Sequence, residues 1–583
     1  MPNKRSSRVA AVLACVAVVG YATTVLTQTT SDIVNTKHNL SVSGPGTLRA
    51  TTETRICVFC HTPHNATPSS PLWNKDIQPQ VYTVYTSPTL RAGPLPQPTG
   101  PTKLCLSCHD GTIAMGAVVN PAGGITMAGG STLPSQSLSN FGVDLSGHHP
   151  VSFPYHQSLP NAELVGTPPA DLTFGSADEV HCTTCHDPHK DAWGKFLVKD
   201  NRYSALCTTC HQVEGWPASV HATSSASVIG ILPRPPKTFP TYATLGEWGC
   251  ETCHTPHFAP TAEKLLNFTA GPPPFSCTST GCHASNPGPP HLAADGRVVT
   301  PPDIGRQVKK LSAHHEVEGG AACADCHNPH VGTGEKAVAP YVSGMLRGVS
   351  GVDRNAGILR KATYEYEVCF KCHADANRGI DYVSRVVPGT NMRKAFAEEN
   401  PSFHPVVSAG RNLNVPSIPS SFEPTMTTSQ QIYCTACHAD DEGGSRGPHG
   451  SRYRPILKER YDTADNTPES FDAYALCYRC HDQASILRDD SFRKATLRKT
   501  ASGGGHSGHL AAGAPCSACH DPHGVDARAG QGTGSHTHLI NFDVRIVQPA
   551  PGRAFPVFDD TGTFSGGCTL VCHGVAHEAT TYP

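Results

Sequence analysis

Twelve short segments of the sequence place two cysteines ahead of a histidine, and we number these motifs 1 to 12 in chain order. Ten read Cys-x-x-Cys-His: Cys57/Cys60/His61, Cys105/Cys108/His109, Cys182/Cys185/His186, Cys207/Cys210/His211, Cys250/Cys253/His254, Cys323/Cys326/His327, Cys369/Cys372/His373, Cys434/Cys437/His438, Cys477/Cys480/His481 and Cys516/Cys519/His520. Two variants have four and three residues between the cysteines: Cys277/Cys282/His283 (motif 6) and Cys568/Cys572/His573 (motif 12). Of the 25 cysteines, only Cys15 stands outside the motifs.

This spacing is suited to covalent attachment of haem. Two nearby thiols can each add to one vinyl group of a porphyrin, and the histidine that follows donates an axial nitrogen to the iron. The longer variants then need only a bulged loop between the two attachment points. Zinc ribbons and a disulfide framework are the alternatives, but neither requires a histidine after every second cysteine. The sequence therefore predicts 12 covalently bound haem c groups.

Further histidines could supply the second axial ligand of each iron. Five motifs continue as His61-Thr-Pro-His64, His186-Asp-Pro-His189, His254-Thr-Pro-His257, His327-Asn-Pro-His330 and His520-Asp-Pro-His523. A histidine three residues beyond the motif histidine is held on the same side of its own haem, so we expect it to reach a neighbouring iron. The alternative is a turn that exposes the histidine, which five repetitions disfavour.

The motifs form six pairs, which is an internal repeat. Each pair has one upstream histidine, and these are His38, His149, His221, His315, His404 and His509. Each pair also has one tail histidine, and these are His64, His189, His257, His330, His449 and His523. We predict these twelve as the second ligands. Alternatives are His148, His314 and His506, adjacent to His149, His315 and His509, and His291, His538 and His577, each of which could replace one of the set.

The N-terminus carries a targeting signal. Lys4, Arg5 and Arg8 precede an apolar run over 9–22, which is short for a membrane span and typical of a secretory signal. We predict a signal peptide over 1–28, with an uncleaved anchor as the alternative, and an exported protein. The six motif pairs then divide the rest of the chain into haem pairs over 29–145, 146–220, 221–300, 301–400, 401–500 and 501–583.

The composition indicates an unusual interior. Aromatic residues make up 7% of the chain and charged residues 16%, while glycine and proline number 54 and 51. Little chain is available per haem for a conventional core, so the porphyrins must fill the interior. We predict a mostly irregular fold with short α-helices, for example at Ala262–Phe268 and Met392–Glu399, and little β-structure. The net charge of −2 does not indicate a nucleic-acid partner.

Several segments resemble multihaem c-type cytochromes with doubled Cys-x-x-Cys-His repeats. The similar segments are Lys37-His38-Asn39-Leu40-Ser41, Cys57-Val-Phe-Cys-His-Thr-Pro-His64, Leu104-Cys-Leu-Ser-Cys-His-Asp-Gly111 and Cys568-Thr-Leu-Val-Cys-His-Gly574. Such proteins are abundant in metal-reducing and other anaerobic respiratory bacteria. The resemblance implies an electron-transfer protein in the periplasm, at the outer membrane or outside the cell. It also implies partners such as other cytochromes, outer-membrane conduit components or extracellular acceptors.

The expected chemistry depends on whether both axial positions of each haem iron are filled. An iron with two histidine ligands has no place for a substrate and keeps a low potential, so we expect an electron relay with no catalytic residue. One alternative is a multihaem reductase of a small oxyanion with one open iron face, to be sought first at motif 6. The other is a subunit that associates with itself into filaments, with a surplus histidine crossing to a second copy.

Overall fold

The structure is a computed structural model that describes residues 32–67, 72–227, 242–267, 277, 283, 291–292, 298–299, 303–314, 321–376, 381–443, 445, 447–492 and 505–582. The predicted signal peptide, the attachment residue Cys282 and the upstream histidine His315 lie outside these residues.

The helices are short, and many carry a motif. They are α1 Gly100–His109, α2 Cys182–Cys185, α3 Cys207–Cys210, α4 Leu245–Trp248, α5 Ile304–Gln307, α6 Cys323–Cys326, α7 Glu365–His373, α8 Met392–Ala395, α9 Ala475–Tyr478, α10 Gln483–Leu487, α11 His506–Ala511 and α12 Cys516–Cys519. Isolated helices of this length have little stability in water, so these helices must be stabilised by the groups that pack around them. The helices predicted at Ala262–Phe268 and Met392–Glu399 are shorter in the structure. The first is a 3-10 turn at Glu263–Leu265, and the second is α8.

Further single turns of 3-10 helix connect these elements. They lie at Ile33–Asn35, Cys57–Phe59, Tyr155–Ser158, Ser176–Asp178, Arg202–Ser204, Trp216–Ala218, Gly249–Thr252, Gly344–Leu346, Cys434–Ala436, Asp490–Phe492 and Thr537–Leu539. Three of these turns begin at or next to the first cysteine of a motif.

Most strands are two-residue antiparallel pairings that close loops. They pair β1 Arg49–Ala50 with β2 Met127–Ala128, β3 Phe153–Pro154 with β4 Glu179–Val180, β5 His291–Leu292 with β6 Val298–Val299, β7 Ser312–Ala313 with β10 Gly450–Ser451, and β8 Gly351–Val352 with β9 Ile358–Leu359. The β7–β10 pairing joins segments from two different motif pairs, so the repeats interlock.

A four-stranded antiparallel sheet forms the C-terminus. It consists of β11 Val547–Gln548, β12 Val557–Gly562, β13 Ser565–Cys572 and β14 Val575–Tyr582. β11 and β12 pair with successive parts of β13, and β14 pairs along its other edge. Both cysteines of motif 12 therefore lie on a strand rather than in a loop, and the pairing of this strand with β14 shifts register between Cys568 and Leu570.

Apolar packing is divided among small clusters that surround motif cysteines. The cluster of Tyr474, Tyr478 and Leu510 packs against Cys477 and Cys516. The cluster that contains Phe542, Phe558 and Leu570 packs against Cys519, Cys568 and Cys572. In the described part of the chain, the buried apolar side chains thus collect beside the haem attachment points.

One continuous cavity of about 5200 Å³ runs between these clusters, lined by residues from Ile33 to Thr581. Together with the short helices and irregular connections, it confirms the predicted fold class of a coil-rich, haem-packed protein with little β-structure. None of the described helices has the length and apolar character needed to cross a membrane.

Candidate haem-binding sites

The regular motifs share one local conformation. In motifs 1, 3, 4, 5, 7, 9, 10 and 11, the backbone N–H of the motif histidine donates to the carbonyl of the first cysteine at 2.7–3.0 Å. This single turn brings two thiols and an imidazole to one side of the chain. Motif 6 keeps the same closure despite its longer loop, because the His283 N–H donates to the Cys277 carbonyl at 3.2 Å.

Eleven motif histidines each face another imidazole across the cavity, with ring centroids 5.9–6.4 Å apart. In odd-numbered motifs the pairs are His61 with His189, His186 with His257, His254 with His330, His327 with His449, His438 with His523 and His520 with His506. In even-numbered motifs they are His109 with His38, His211 with His149, His283 with His221, His373 with His314 and His481 with His404. All these histidines line the cavity.

The separation suits a metal ion between the rings. A metal bound to two imidazoles through bonds of roughly 2 Å holds their coordinating nitrogens about 4 Å apart, and hence their ring centres roughly 6 Å apart. In the described motifs 1–5 and 7–11, two cysteines line the cavity beside the motif histidine. The chemistry of the donor set therefore fits a covalently attached haem with an imidazole on each side of its iron.

Hydrogen bonds at Nδ1 fix the tautomer of many of these imidazoles. The Nδ1–H of six motif histidines donates to a backbone carbonyl at 2.7–3.1 Å, and these are His109, His186, His254, His327, His438 and His520. Because a carbonyl can only accept, Nδ1 carries the proton and Nε2 keeps its lone pair. Such partners orient a metal-binding histidine and raise its basicity.

Each Pro-His dipeptide that ends in a tail histidine from His189 onward contacts two of the candidate haem sites. The Nδ1–H of His38 donates to the Pro188 carbonyl at 3.0 Å, and the next residue, His189, faces His61. The same arrangement links His221 to Pro329, His314 to Pro448 and His404 to Pro522. In the second pair, the His149 backbone N–H donates to the Pro256 carbonyl at 2.8 Å. Each proline carbonyl thus positions the second ligand of an even-numbered motif, while the adjacent histidine faces an odd-numbered one.

Burial favours the uncharged form of several of these imidazoles. It lowers the pKa of His211, His438 and His481 to about 4, and that of His506 to about 3, with smaller contributions from nearby histidines. Neutral imidazole is the form that binds a metal, so burial favours metal binding by these four side chains.

The upstream and tail histidines face different repeats. His38, His149, His221 and His404 face the second motif of their own pair, whereas His189, His257, His330, His449 and His523 face the first motif of the preceding pair. At motif 8 the facing ring is that of His314, the alternative to His315. At motif 6, the proposed place for an open iron face, His221 faces the motif histidine.

Three predicted ligands differ from expectation. His64 is exposed, and no other imidazole faces it in the described part of the chain. His509 faces His577 rather than a motif histidine, and its alternative His506 faces His520. His573 does not line the cavity, and its Nε2 lies 2.7 Å from Asp465 Oδ1. His148, the alternative to His149, faces no motif histidine in the described part of the chain; its Nδ1 lies 3.2 Å from Nδ1 of His257.

Comparisons with known proteins agree with the motif chemistry. The family described as "Outer membrane cytochrome MtrC/MtrF-like, domains II/IV" matches residues 353–529, and the family described as "Doubled CXXCH motif" matches residues 175–215. No curated protein matches the sequence. The two matches support a multihaem c-type cytochrome of the metal-reducing type with doubled motifs. The doubled motifs indicate covalently bound haem c, and the match to outer-membrane cytochromes is consistent with electron transfer rather than enzymatic catalysis.

We predict different outcomes for two tail histidines in the same sequence context. His189→Ala removes the ring that faces His61, so one haem becomes high-spin while its thioether bonds stay intact. His64→Ala is the matched control and leaves every haem low-spin, because the His64 ring faces no other imidazole. EPR of the oxidised protein with a haem count measures both. A high-spin signal from His64→Ala, with none from His189→Ala, would contradict the pairing.

The imidazole planes predict two classes of low-spin haem. In odd-numbered motifs the planes lie 8–41° apart, and in even-numbered motifs 2, 4, 6, 8 and 10 they lie 50–81° apart. Near-parallel and near-perpendicular ligand planes split the iron d orbitals differently. EPR of the oxidised protein should therefore resolve two low-spin populations of similar size. A single homogeneous low-spin signal would be inconsistent with this alternation.

Proposed function

We propose that the chain is a dodecahaem relay that carries electrons along twelve low-spin haems, each with two histidine ligands, in extracellular respiration. The observation that carries the proposal is the set of facing imidazoles along one continuous cavity. Two histidines per iron leave no position for a substrate, and they favour low potentials. The chain's own residues hold, orient and insulate the haems, which supply the electron chemistry when bound.

Contacts within each motif pair support a close approach of its two haems. In the first pair, one Pro-His dipeptide contacts the predicted second ligand of motif 2 and supplies that of motif 1. Equivalent dipeptides do the same in pairs 3, 4 and 5. The second cysteines also approach each other: Cys108 contributes to raising the pKa of Cys60, and Cys480 does the same for Cys437. Because these sulfurs mark haem edges, the two haems of a pair should lie side by side.

Contacts between successive motif pairs support a linear arrangement of the haems, a single file in the order of their motifs along the chain. The first cysteine of one pair's second motif reaches the first cysteine of the next pair. These contacts join Cys105 with Cys182, Cys207 with Cys250, Cys277 with Cys323, Cys369 with Cys434 and Cys477 with Cys516. Backbone contacts accompany them, since the Cys250 N–H donates to Ser204 Oγ at 2.7 Å. Each haem between the first and the last would then have one neighbour before it and one after it.

The beginning of this file is accessible from solvent. Cys57 and His61 of motif 1 are exposed, and so are Cys253 of motif 5 and Cys277 of motif 6, but only motif 1 stands at an end of the file. We infer that electrons enter or leave through the haem of motif 1. The match to an outer-membrane cytochrome family supports surface-exposed action, with outer-membrane conduit cytochromes and extracellular acceptors as partners. The six haem-pair units predicted from the sequence remain our proposed organisation, with ligands crossing their boundaries.

A filament subunit is a second candidate function, favoured by His64. The tail histidines from His189 onward each face a motif of the preceding pair, but His64 belongs to the first pair. Its exposed ring is therefore available for contact with the surface of a second copy. Electron microscopy of the secreted protein, compared with His64→Ala, tests this candidate: wild-type filaments that the variant loses would support it, and a monomer in both would exclude it.

The proposal predicts twelve haems per chain, all low-spin in the oxidised protein. Pyridine haemochrome absorbance gives the number of haems, and EPR gives the fraction in each spin state. Ten or fewer haems per chain would contradict the repeat assignment. Twelve haems with one high-spin iron that binds nitrite would favour the reductase alternative.

A buried cation should tune the exposed end of the relay. Lys75 is fully buried, and its Nζ donates to the carbonyls of Ala114 and Met115 at 3.1 and 2.9 Å. Its charge acts on both Cys60 and Cys108, the attachment residues of motifs 1 and 2. A positive charge stabilises a reduced haem relative to the oxidised one.

We therefore expect Lys75→Met to lower the potentials of two haems by tens of millivolts, as for a unit charge about 10 Å away at an effective dielectric of about 20. Spectroelectrochemical titration measures the shift. Lys75→Arg is the control that keeps the charge, and an equal shift in both variants would show that packing, rather than charge, is responsible.

A further inference from the structure

Motif 9 lacks the short tail that the first motif of every other pair carries. Its tail histidine, His449, follows the motif histidine His438 by eleven residues rather than three. The His449 ring nevertheless faces His327 of motif 7, with ring centroids 5.9 Å apart and planes 21° apart, like the other odd-numbered pairs. The intervening chain is too long to fix the ring by itself, so contacts with another segment must place it.

The segment 303–314, which lies between motifs 6 and 7 and contains no motif cysteine, supplies these contacts. It includes α5 and β7, and β7 pairs with β10, which begins directly after His449. A Cβ atom on Gly450, the first residue of β10, would lie 1.9 Å from the Gln307 carbonyl oxygen. Glycine therefore permits the close approach of the two segments immediately beside His449.

A lysine of this segment anchors the start of the long tail. The Nζ of Lys310 donates to Oδ1 of Asp440 and of Asp441, at 2.5 and 2.6 Å. The Asp440 side chain is 0% exposed and that of Lys310 is 12% exposed. Arg452 makes a second ion pair with Asp441. Removing one partner of a buried ion pair is strongly destabilising, so the position of the tail depends on Lys310.

A hydrogen-bond chain from the same segment reaches His449 itself. The Ser445 Oγ–H donates to Oε1 of Gln307 at 2.7 Å, and Gln307 is buried. Because a hydroxyl has one hydrogen, Ser445 Oγ must accept from Nδ1 of His449, which lies 2.8 Å away. His449 then carries its proton on Nδ1, and Nε2 has the lone pair that an iron binds.

The long tail also contacts the candidate site of motif 8. The His314 Nδ1–H donates to the Pro448 carbonyl at 2.6 Å, and the His314 ring faces His373 of motif 8. Contacts between the segment 303–314 and the long tail therefore orient the facing imidazoles of two successive motifs.

We propose that Lys310, Gln307 and Ser445 are positioning residues for His449, the second ligand of the haem at motif 7. Together they take the place of the short tail that positions the corresponding histidine in the other pairs. This inference rests on the proposed function, because it assumes that His327 and His449 bind one iron. Electron transfer through the middle of the file would then depend on a segment that attaches no haem.

Lysine variants of the full-length holoprotein test the anchor. Lys310→Met leaves Asp440 and Asp441 without their ammonium group, so the tail should move and at least one haem should become high-spin while twelve remain attached. Added imidazole should restore the low-spin state. Lys309→Met changes the neighbouring exposed lysine and is the matched control, which should leave every haem low-spin. EPR of the oxidised protein with a haem count measures all of these outcomes.

A double variant assigns the affected haem. His449→Ala removes the ligand that Lys310 is proposed to position, so combining it with Lys310→Met should give no more high-spin iron than Lys310→Met alone. An additional high-spin haem in the double variant would show that Lys310 acts on another site.

Ser445→Ala tests the hydrogen-bond chain with a smaller change. Without this acceptor the His449 imidazole is less basic and stabilises ferric iron less, so the midpoint potential of one haem should rise while all twelve stay low-spin. Spectroelectrochemical titration measures the shift. Ser445→Thr keeps the hydroxyl and should titrate like wild type, which a purely steric role of Ser445 does not predict.

The outcomes distinguish the inference from the proposed function. Wild-type protein with fewer haems, or with high-spin iron, would count against the electron relay itself. Twelve low-spin haems in wild type, together with an unchanged EPR spectrum for Lys310→Met or an unchanged titration for Ser445→Ala, would overturn only the inference. If Lys310→Met does not accumulate with its haems, the titration of Ser445→Ala decides alone.

Discussion

The proposed relay depends on one constraint: each iron needs two imidazole nitrogens that approach from opposite sides. A motif histidine is tethered beside its own cysteines, so the second ligand must come from elsewhere in the chain. The tail histidines meet this need by reaching the preceding repeat, as His257 reaches His186 and His523 reaches His438. Every haem then cross-links two distant segments. This accounts for a chain with small, separate apolar clusters, because covalent and metal bonds replace a large core in scaffolds of this kind.

The tail segments connect neighbouring sites as well as repeats. A proline carbonyl holds the Nδ1–H of one ligand while the next residue supplies another, so two irons share a single dipeptide. His221, Pro329 and His330 show the arrangement, since His221 faces His283 and His330 faces His254. Movement of the dipeptide would displace the ligands of both haems. The geometry therefore fixes the distance between neighbours, which is the quantity on which electron hopping depends most steeply.

Local patterns were predictable from sequence, and tertiary pairings were only partly so. Haem attachment is encoded within six or seven residues, and the coil-rich fold follows from twelve such motifs and a high glycine and proline content. The upstream histidines His38 and His404 lie where the repeat pattern predicts. His64 does not, because a tail histidine serves the repeat before its own and the first repeat has none. Spacing predicts His573 as the ligand of motif 12, whereas the structure places it in the turn after β13, where its Nε2 lies 2.7 Å from Asp465 Oδ1.

Iron positions test this account most directly. Diffraction from crystals of the holoprotein at the iron absorption edge locates each iron without reference to the protein coordinates. We predict twelve anomalous peaks in one unbranched file, in chain order, each midway between two imidazoles. A branched arrangement of the peaks, an order that does not follow the chain, or a peak with an imidazole on one side only would contradict the proposed relay.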